Sequence, residues 1–340
     1  MNNNVVKQKK WNKVFTVTTE GPCNCRCLGC GTPRLYKPRS TAEILKDIKA
    51  GARAGYHVIE IIGGEPTIHP DFLILSEKAR EMYKKIYLTS NGITLANNTF
   101  AKKVFSIFDS INITLYGHNA KLHESWTKNK GSFIKTTRGI RNCLSVNPKS
   151  VLVTHLVWKK NFPYLRQLIT RDIKLGVKNI DLLNIQPIGS AKHIFKKLVV
   201  PLKELSNFGL NFIDLLDNFE SVEIEDYPFC IFPKEILEKT KNNVHIIDIA
   251  GQIFLNDKKQ INCYDLFMTH NISSGMDSTL KTSKNIKLIK DKMKKYRYHL
   301  NACKGCYFIN ECNGIFEEYV KIFGRKKVEA EIKAIRAKLS

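Results

Sequence analysis

The sequence predicts an α/β protein built on a parallel sheet. Three observations carry that reading. Short apolar, β-branched runs alternate with amphipathic stretches about six times over the first 190 residues, the pattern of strands linked by outer helices. Polar and glycine-bearing motifs fall at the C-terminal ends of those strands, where ligands bind in α/β sheets and barrels. After about residue 190 the alternation stops and a smaller, cysteine-bearing region follows.

In order, Val14–Thr18 reads as a strand and runs directly into a group of cysteines. Thr41 to Arg53 is amphipathic and opens at Ser40, a good helix cap. Val58–Ile62 is a buried strand ending in Gly63-Gly64-Glu65-Pro66, and a helix follows over Pro70–Lys84. Ile86–Thr89 ends in Ser90-Asn91-Gly92 and leads to a helix near Leu95–Ile107. Ile111–Leu115 ends at Tyr116-Gly117, and Phe133–Leu144 reads as a helix. Val151–Trp158 is the fifth strand. Tyr164–Leu175 is a helix stopped by Gly176, and Ile180–Ile185 runs into Gln186-Pro187-Ile188-Gly189. Residues 192–224 read as helix with a short strand, 244–263 as β-hairpins, 270–295 as a polar loop, and Asn313–Leu339 as one Lys-rich C-terminal helix.

Composition narrows the function class. Of 340 residues, 43% are hydrophobic and 25% charged, which excludes a wholly disordered chain. No run approaches the roughly 18 apolar residues of a membrane helix. The start, MNNNVVKQKKWNK, lacks the apolar core of a secretion signal, so a cytoplasmic protein with no membrane partner is expected. The net charge is +24. An acidic partner, an anionic substrate or a nucleic acid would explain it, but the basic residues are scattered and mostly Lys, so a solvated surface is favoured over nucleic acid.

Ten cysteines are too few for a disulfide scaffold and too clustered for a random core. Cys23, Cys25, Cys27 and Cys30 lie within eight residues; Cys303, Cys306 and Cys312 lie within ten. Both groups point to metal. Cys23, Cys27 and Cys30, spaced Cys-x3-Cys-x2-Cys, suit three irons of a 4Fe–4S cube and leave the fourth open to a substrate or cofactor. Zinc with Cys25 as fourth ligand is the alternative, although Cys25 sits awkwardly for tetrahedral pairing. Gly63 and Gly64 let backbone groups approach a ligand, and Glu65 can pair an ammonium.

In these motifs the chain resembles the radical S-adenosylmethionine (radical SAM) superfamily. The cysteine triad after the first strand is similar to its cluster signature, and Gly63-Gly64-Glu65-Pro66-Thr67 to its methionine-binding motif. Ser90-Asn91-Gly92, Thr114-Leu115-Tyr116-Gly117 and Gln186-Pro187-Ile188-Gly189 resemble its later strand ends, so the likeness covers about residues 12–190. The resemblance implies a partial (β/α)6 TIM-like barrel. Cys23, Cys27 and Cys30 would hold a catalytic 4Fe–4S cluster, with SAM contacted by Gly63, Gly64, Glu65, Asn91 and Thr114. One electron, from a reductant such as flavodoxin or ferredoxin, would cleave SAM to a 5′-deoxyadenosyl radical that takes a hydrogen from the substrate. The chain departs from the family at Gly29, where an aromatic residue normally packs near adenine; Leu28 or Tyr36 is expected to supply that face.

Cys303-x2-Cys306-x5-Cys312 and the residues after it resemble the C-terminal SPASM or twitch extension of radical SAM enzymes. A full SPASM pattern would place a further cysteine at Phe316, so one auxiliary 4Fe–4S cluster is expected. Its fourth ligand is Cys230 or Cys263, with Cys230 favoured. Zinc is the alternative there too. Cys143 reads as core, Cys25 as a neutral loop thiol, and His118, His123 and His155 as ordinary residues unless His155 faces the barrel; Arg138 and Asn161 are further candidate contacts.

The resulting expectation is a radical SAM core over 12–200, an extension over 201–328 and a basic helix end over 329–340. The expected function is modification of a peptide. A small molecule or a tRNA is the alternative substrate, and a binding or electron-transfer iron–sulfur or zinc protein is the non-enzyme alternative.

Overall fold

The computed structural model describes residues 14–19, 21–31, 39–239, 243–247, 297–309, 312 and 314–338. Its centre is one parallel sheet with strands in chain order: β1 (Val14–Thr18), β2 (Val58–Ile62), β3 (Lys85–Ser90), β4 (Ser110–Thr114), β5 (Val151–Val157), β6 (Asn179–Asn184), β7 (Ser221–Glu225) and β8 (Val244–Ile247). Each strand pairs with the next and, among the described residues, β1 does not pair with β8, so the sheet is an open, TIM-like part-barrel. It has eight strands, two more than the six read from sequence. The added strands lie beyond residue 200, so the sheet itself continues past that point.

Between the strands run α1 (Thr41–Arg53), α2 (Phe72–Met82), α3 (Asn98–Phe105), α4 (Ala120–Thr127), α5 (Ser132–Val146), α6 (Leu165–Leu175), α7 (Gly189–Leu198), α8 (Leu202–Leu205) and α9 (Lys234–Lys239). Helix α1 starts as its sequence suggests: Ser40 accepts from the Glu43 amide and Glu43 reaches back to the Ser40 amide, a complete capping box. Helix α6 stops at Gly176, whose φ of +79° is left-handed. Helix α4 is absent from the sequence reading; its cap, Asn119, accepts from the Leu122 amide.

Residues 244–247 form β8, which pairs parallel to β7, with Val222 opposite Val244; the rest of the expected hairpin region lies outside the described residues. One reading is corrected. The C-terminal stretch is not one helix. Among the described residues, β9 (Arg297–Tyr298) pairs antiparallel with β10 (Ile315–Phe316), followed by α10 (Glu317–Phe323) and α11 (Arg325–Arg336). Gly324, at φ +82° and ψ +133°, breaks the helix in two.

The two faces of the sheet differ. Ile59, Ile61, Ile86, Leu88, Ile111, Ile113, Val153 and Leu182 are buried under the helices. On the opposite face, Thr114, Thr154, Asp181, Glu223 and His245 stand in register across β4–β8. Among the described residues no helix is long and apolar enough to cross a membrane.

Candidate active site

The loop carrying Cys23, Cys25, Cys27 and Cys30 leaves the C-terminal end of β1 and is pinned by backbone hydrogen bonds to three other elements. The Arg26 amide donates to the Thr127 carbonyl at 2.7 Å and the Leu28 amide to the Trp126 carbonyl at 3.0 Å. The Ser190 amide donates to the Cys30 carbonyl at 3.0 Å, and the Glu65 amide to the Pro22 carbonyl at 3.2 Å. Gly64 makes the last contact possible. A Cβ there would lie 2.7 Å from the Gly21 carbonyl oxygen and 2.8 Å from that of Pro22. Gly64 therefore lets the β2 end close on the cysteine loop, where the sequence suggested room for a ligand.

Glu65 is 2% exposed and its carboxylate accepts four hydrogen bonds. Oε1 takes the Thr67 amide at 3.2 Å, the Thr67 hydroxyl at 2.5 Å and the Ser90 hydroxyl at 2.8 Å; Oε2 takes the Asn91 amide at 2.7 Å. Burial pushes its pKa up and these donors oppose the rise. The carboxylate thus ties the β2 end to the β3 end. Asn91 extends the link: its amide donates to the Asn24 side chain at 2.5 Å and lies 3.8 Å from Cys25 Sγ and 4.0 Å from Cys23 Sγ. Thr114 ends β4 and is part-buried on the inner face.

Cys23 is exposed, Cys27 and Cys30 are half-buried and Cys25 is buried. Contact with Cys25 and burial push the Cys23 thiol well up. Cys25 is pushed up to about 12, with Cys27 and burial outweighing the lowering contact with Cys23. Tyr116 is close enough to all four thiols for their charges to add to the burial that raises its own pKa. Among the described residues, at this loop and around the second group of cysteines alike, no three His, Cys, Asp or Glu side chains converge as ligands of a single ion would. A cube that takes one thiolate at each of three separate irons suits three sulfurs spread along one braced loop.

Gly29 is explained by a residue that the sequence reading missed. A Cβ at Gly29 would fall 2.8 Å from the ring of Trp126, on α4. Trp126 is 1% exposed, stacks on Tyr116 at 5.4 Å and meets Trp158 at 4.8 Å. An aromatic side chain from α4 thus lies against the position before Cys30; Leu28 is partly buried against the core, and Tyr36 lies outside the described residues. The signal was Asn119 followed by Leu122 and Trp126 at helical spacing.

Other candidates are placed elsewhere. His155 points away from the barrel: Nδ1 meets the Leu115 carbonyl at 2.9 Å and Nε2 meets Asp172 on α6. Burial would lower its pKa, but the Asp172 carboxylate raises it. Asn161 is fully buried and spends its amide on the Leu156 and Tyr116 carbonyls and the Trp158 amide. His123 is buried and accepts from the Tyr116 amide at 3.3 Å. Arg138 is exposed on α5, and Cys143 is fully buried on the same helix as a core thiol.

The second group of cysteines gathers around one cavity. Cys303, Cys306 and Cys312 line it together with Cys230, which stands on the turn just after β7. Cys263 lies outside the described residues. Beside it a second cavity is lined by Arg297 of β9, which ion-pairs with Asp226, both buried, and whose guanidinium lies 3.8 Å over the Phe316 ring. The Gly314 amide donates to Cys312 Sγ at 3.3 Å. Cys230 is pushed up by burial first and by the three neighbouring thiols next.

Comparison with known proteins agrees with this geometry. Residues 20–168 match the family described as the Radical SAM superfamily. That stretch, a little under half of the chain, is therefore similar to radical SAM domains. A probable GTP 3',8-cyclase of Sulfurisphaera tokodaii is 26% identical over 184 residues, covering 53% of this chain and 58% of that protein. One of Saccharolobus solfataricus is 26% identical over 187 residues, covering 53% and 59%. The chain thus spans little more than half the length of these relatives. Streptococcus suis SuiB bound to precursor peptide SuiA shares the fold at TM-score 0.58 and 14% identity, covering 91% of this chain and 73% of that one. Native anSMEcpe with bound AdoMet and Cp18Cys peptide shares it at TM-score 0.57 and 16% identity, covering 95% and 99%.

Proposed function

We propose that this protein cleaves SAM reductively at a 4Fe–4S cluster held by Cys23, Cys27 and Cys30 and uses the product to modify a peptide. One observation carries the reading: the three thiols stand on a braced loop at the C-terminal mouth of the parallel part-barrel, with the Gly63-Gly64-Glu65 turn closed against it. Bound together, cluster and SAM supply one-electron cleavage of a sulfonium and hydrogen abstraction from the substrate. The chain's own residues do the rest. Glu65, Ser90 and Asn91 hold the β2 and β3 ends at fixed spacing beside the loop, and Trp126 and Tyr116 keep its far side dry. Thr114 and Asn91, at the ends of β4 and β3 on the side of the cysteine loop, would contact SAM. An acidic one-electron carrier such as flavodoxin or ferredoxin suits a chain of net charge +24.

Cys230, Cys303, Cys306 and Cys312 would hold one auxiliary 4Fe–4S cluster. Four thiols around one cavity support this and favour Cys230 over Cys263 as the fourth ligand. A peptide is preferred to a nucleotide because the inner wall carries Glu60, Asp181, Glu223 and Glu225. Those carboxylates suit neutral or cationic side chains and repel phosphate.

The test is anaerobic reconstitution with iron and sulfide, then SAM and dithionite. The parent should release 5′-deoxyadenosine and Cys27→Ala should release none. A colourless parent, or equal turnover in Cys27→Ala, overturns the reading. A short precursor-like gene beside this one would favour the peptide.

A further inference from the structure

The cysteine cavity of the extension holds a cation that no step above uses. Arg336, the last residue of α11, lines the same cavity as Cys230, Cys303, Cys306 and Cys312. Its Nη1 donates to the Ala302 carbonyl and, at 3.0 Å, to the Lys304 carbonyl. These carbonyls flank Cys303 on both sides. The helix cannot easily withdraw, because Val328, Ile332 and Ile335 are buried along it. The neighbouring Lys333 is exposed, so solvent screens its charge.

A cube bound by four thiolates carries net negative charge, and reduction adds another electron. In a site walled by Phe308, Ile309, Ile315 and Ile332, a fixed guanidinium stabilises the reduced form more than the oxidised one. We propose that Arg336 is a positioning residue of the auxiliary cluster: it clamps the Cys303 loop through two carbonyls and raises the cluster's reduction potential. This rests on the auxiliary-cluster reading above. It also gives α11 a task, since the clamp ties that helix to the cavity wall.

The experiment uses the full chain with Cys23, Cys27 and Cys30 changed to Ala, so that only the second site can load. After anaerobic reconstitution, iron and sulfide per chain are counted, and the midpoint potential is measured by redox titration followed by electron paramagnetic resonance. The same is done with Arg336→Gln and Arg336→Lys, with circular dichroism confirming the fold. The expected result is a cluster in the parent, a lower potential or a lost cluster in Arg336→Gln, and recovery towards the parent in Arg336→Lys. Equal potentials in the parent and Arg336→Gln overturn the proposal. So does a Lys variant that fares no better than Gln, because the effect would then be steric. A parent that takes up no iron overturns the auxiliary-cluster reading, and the role of Arg336 with it, before any Arg336 variant is measured.

Discussion

His123 shows how one buried side chain sets a pH limit. It is 1% exposed, and burial first, with Arg171 second, pushes its pKa from 6.5 down to about 3. Its neutral Nδ1 accepts from the Tyr116 amide beside the cysteine loop. Above pH 6.5 the ring is neutral folded or unfolded, so stability is complete. As pH falls towards 3 the unfolded chain binds the proton and the folded chain does not, and stability drops by about 1.4 kcal/mol per pH unit. His155 has the opposite sign, since Asp172 raises it, so the comparison is made on one site. Urea unfolding between pH 7 and pH 4 should show a shallower loss in His123→Gln than in the parent; parallel curves would refute this. Gly29 is the companion case: its missing Cβ is needed because Trp126 occupies the space. Sequence marks the glycine as a departure but not the ring that requires it.

Among the elements, α5 bears most directly on the site. Gly139 lies on its buried face, and a Cβ there would fall 2.2 Å from the Gly92 carbonyl oxygen, in the turn that follows Asn91. The Thr136 hydroxyl on the same helix donates to the Asn91 carbonyl at 2.8 Å. Helix and turn therefore hold Asn91 between them. Gly139→Ala gains up to about 1 kcal/mol in helix propensity but forces backbone apart, which costs about 1–3 kcal/mol or more. A net fall in melting temperature is expected, with Ser145→Ala on the exposed side of α5 as the neutral control; an unchanged or raised melting temperature in Gly139→Ala would contradict the contact. The strand reading β1–β6 was legible because buried parallel strands are short and continuously apolar. Helix α4 was not, because eight residues with one strong apolar pair carry little periodic signal. The parallel pairing of β8 with β7 was not legible because Val244–Ile247 looks the same as a hairpin arm until its partner is known.

At the scale of the whole molecule the charge divides in two. The chain carries +24, yet the inner face of the part-barrel presents Glu60, Asp181, Glu223 and Glu225. Glu60 accepts from the Thr89 hydroxyl at 2.8 Å, and burial raises its pKa against that donor. GTP should therefore fail to stimulate SAM cleavage by the reconstituted protein, measured as 5′-deoxyadenosine released with and without it; stimulation by GTP would move the substrate reading to a nucleotide. The sequence by itself determined strands β1–β6, most of the helices between them and the two groups of thiols, because these depend on local periodicity and spacing. Only the tertiary structure decided that Cys230 joins Cys303, Cys306 and Cys312, that Trp126 meets Gly29, and that Glu65 is spent between two strand ends. Those pairings join residues far apart in the chain, and nothing local to either partner encodes the distance between them.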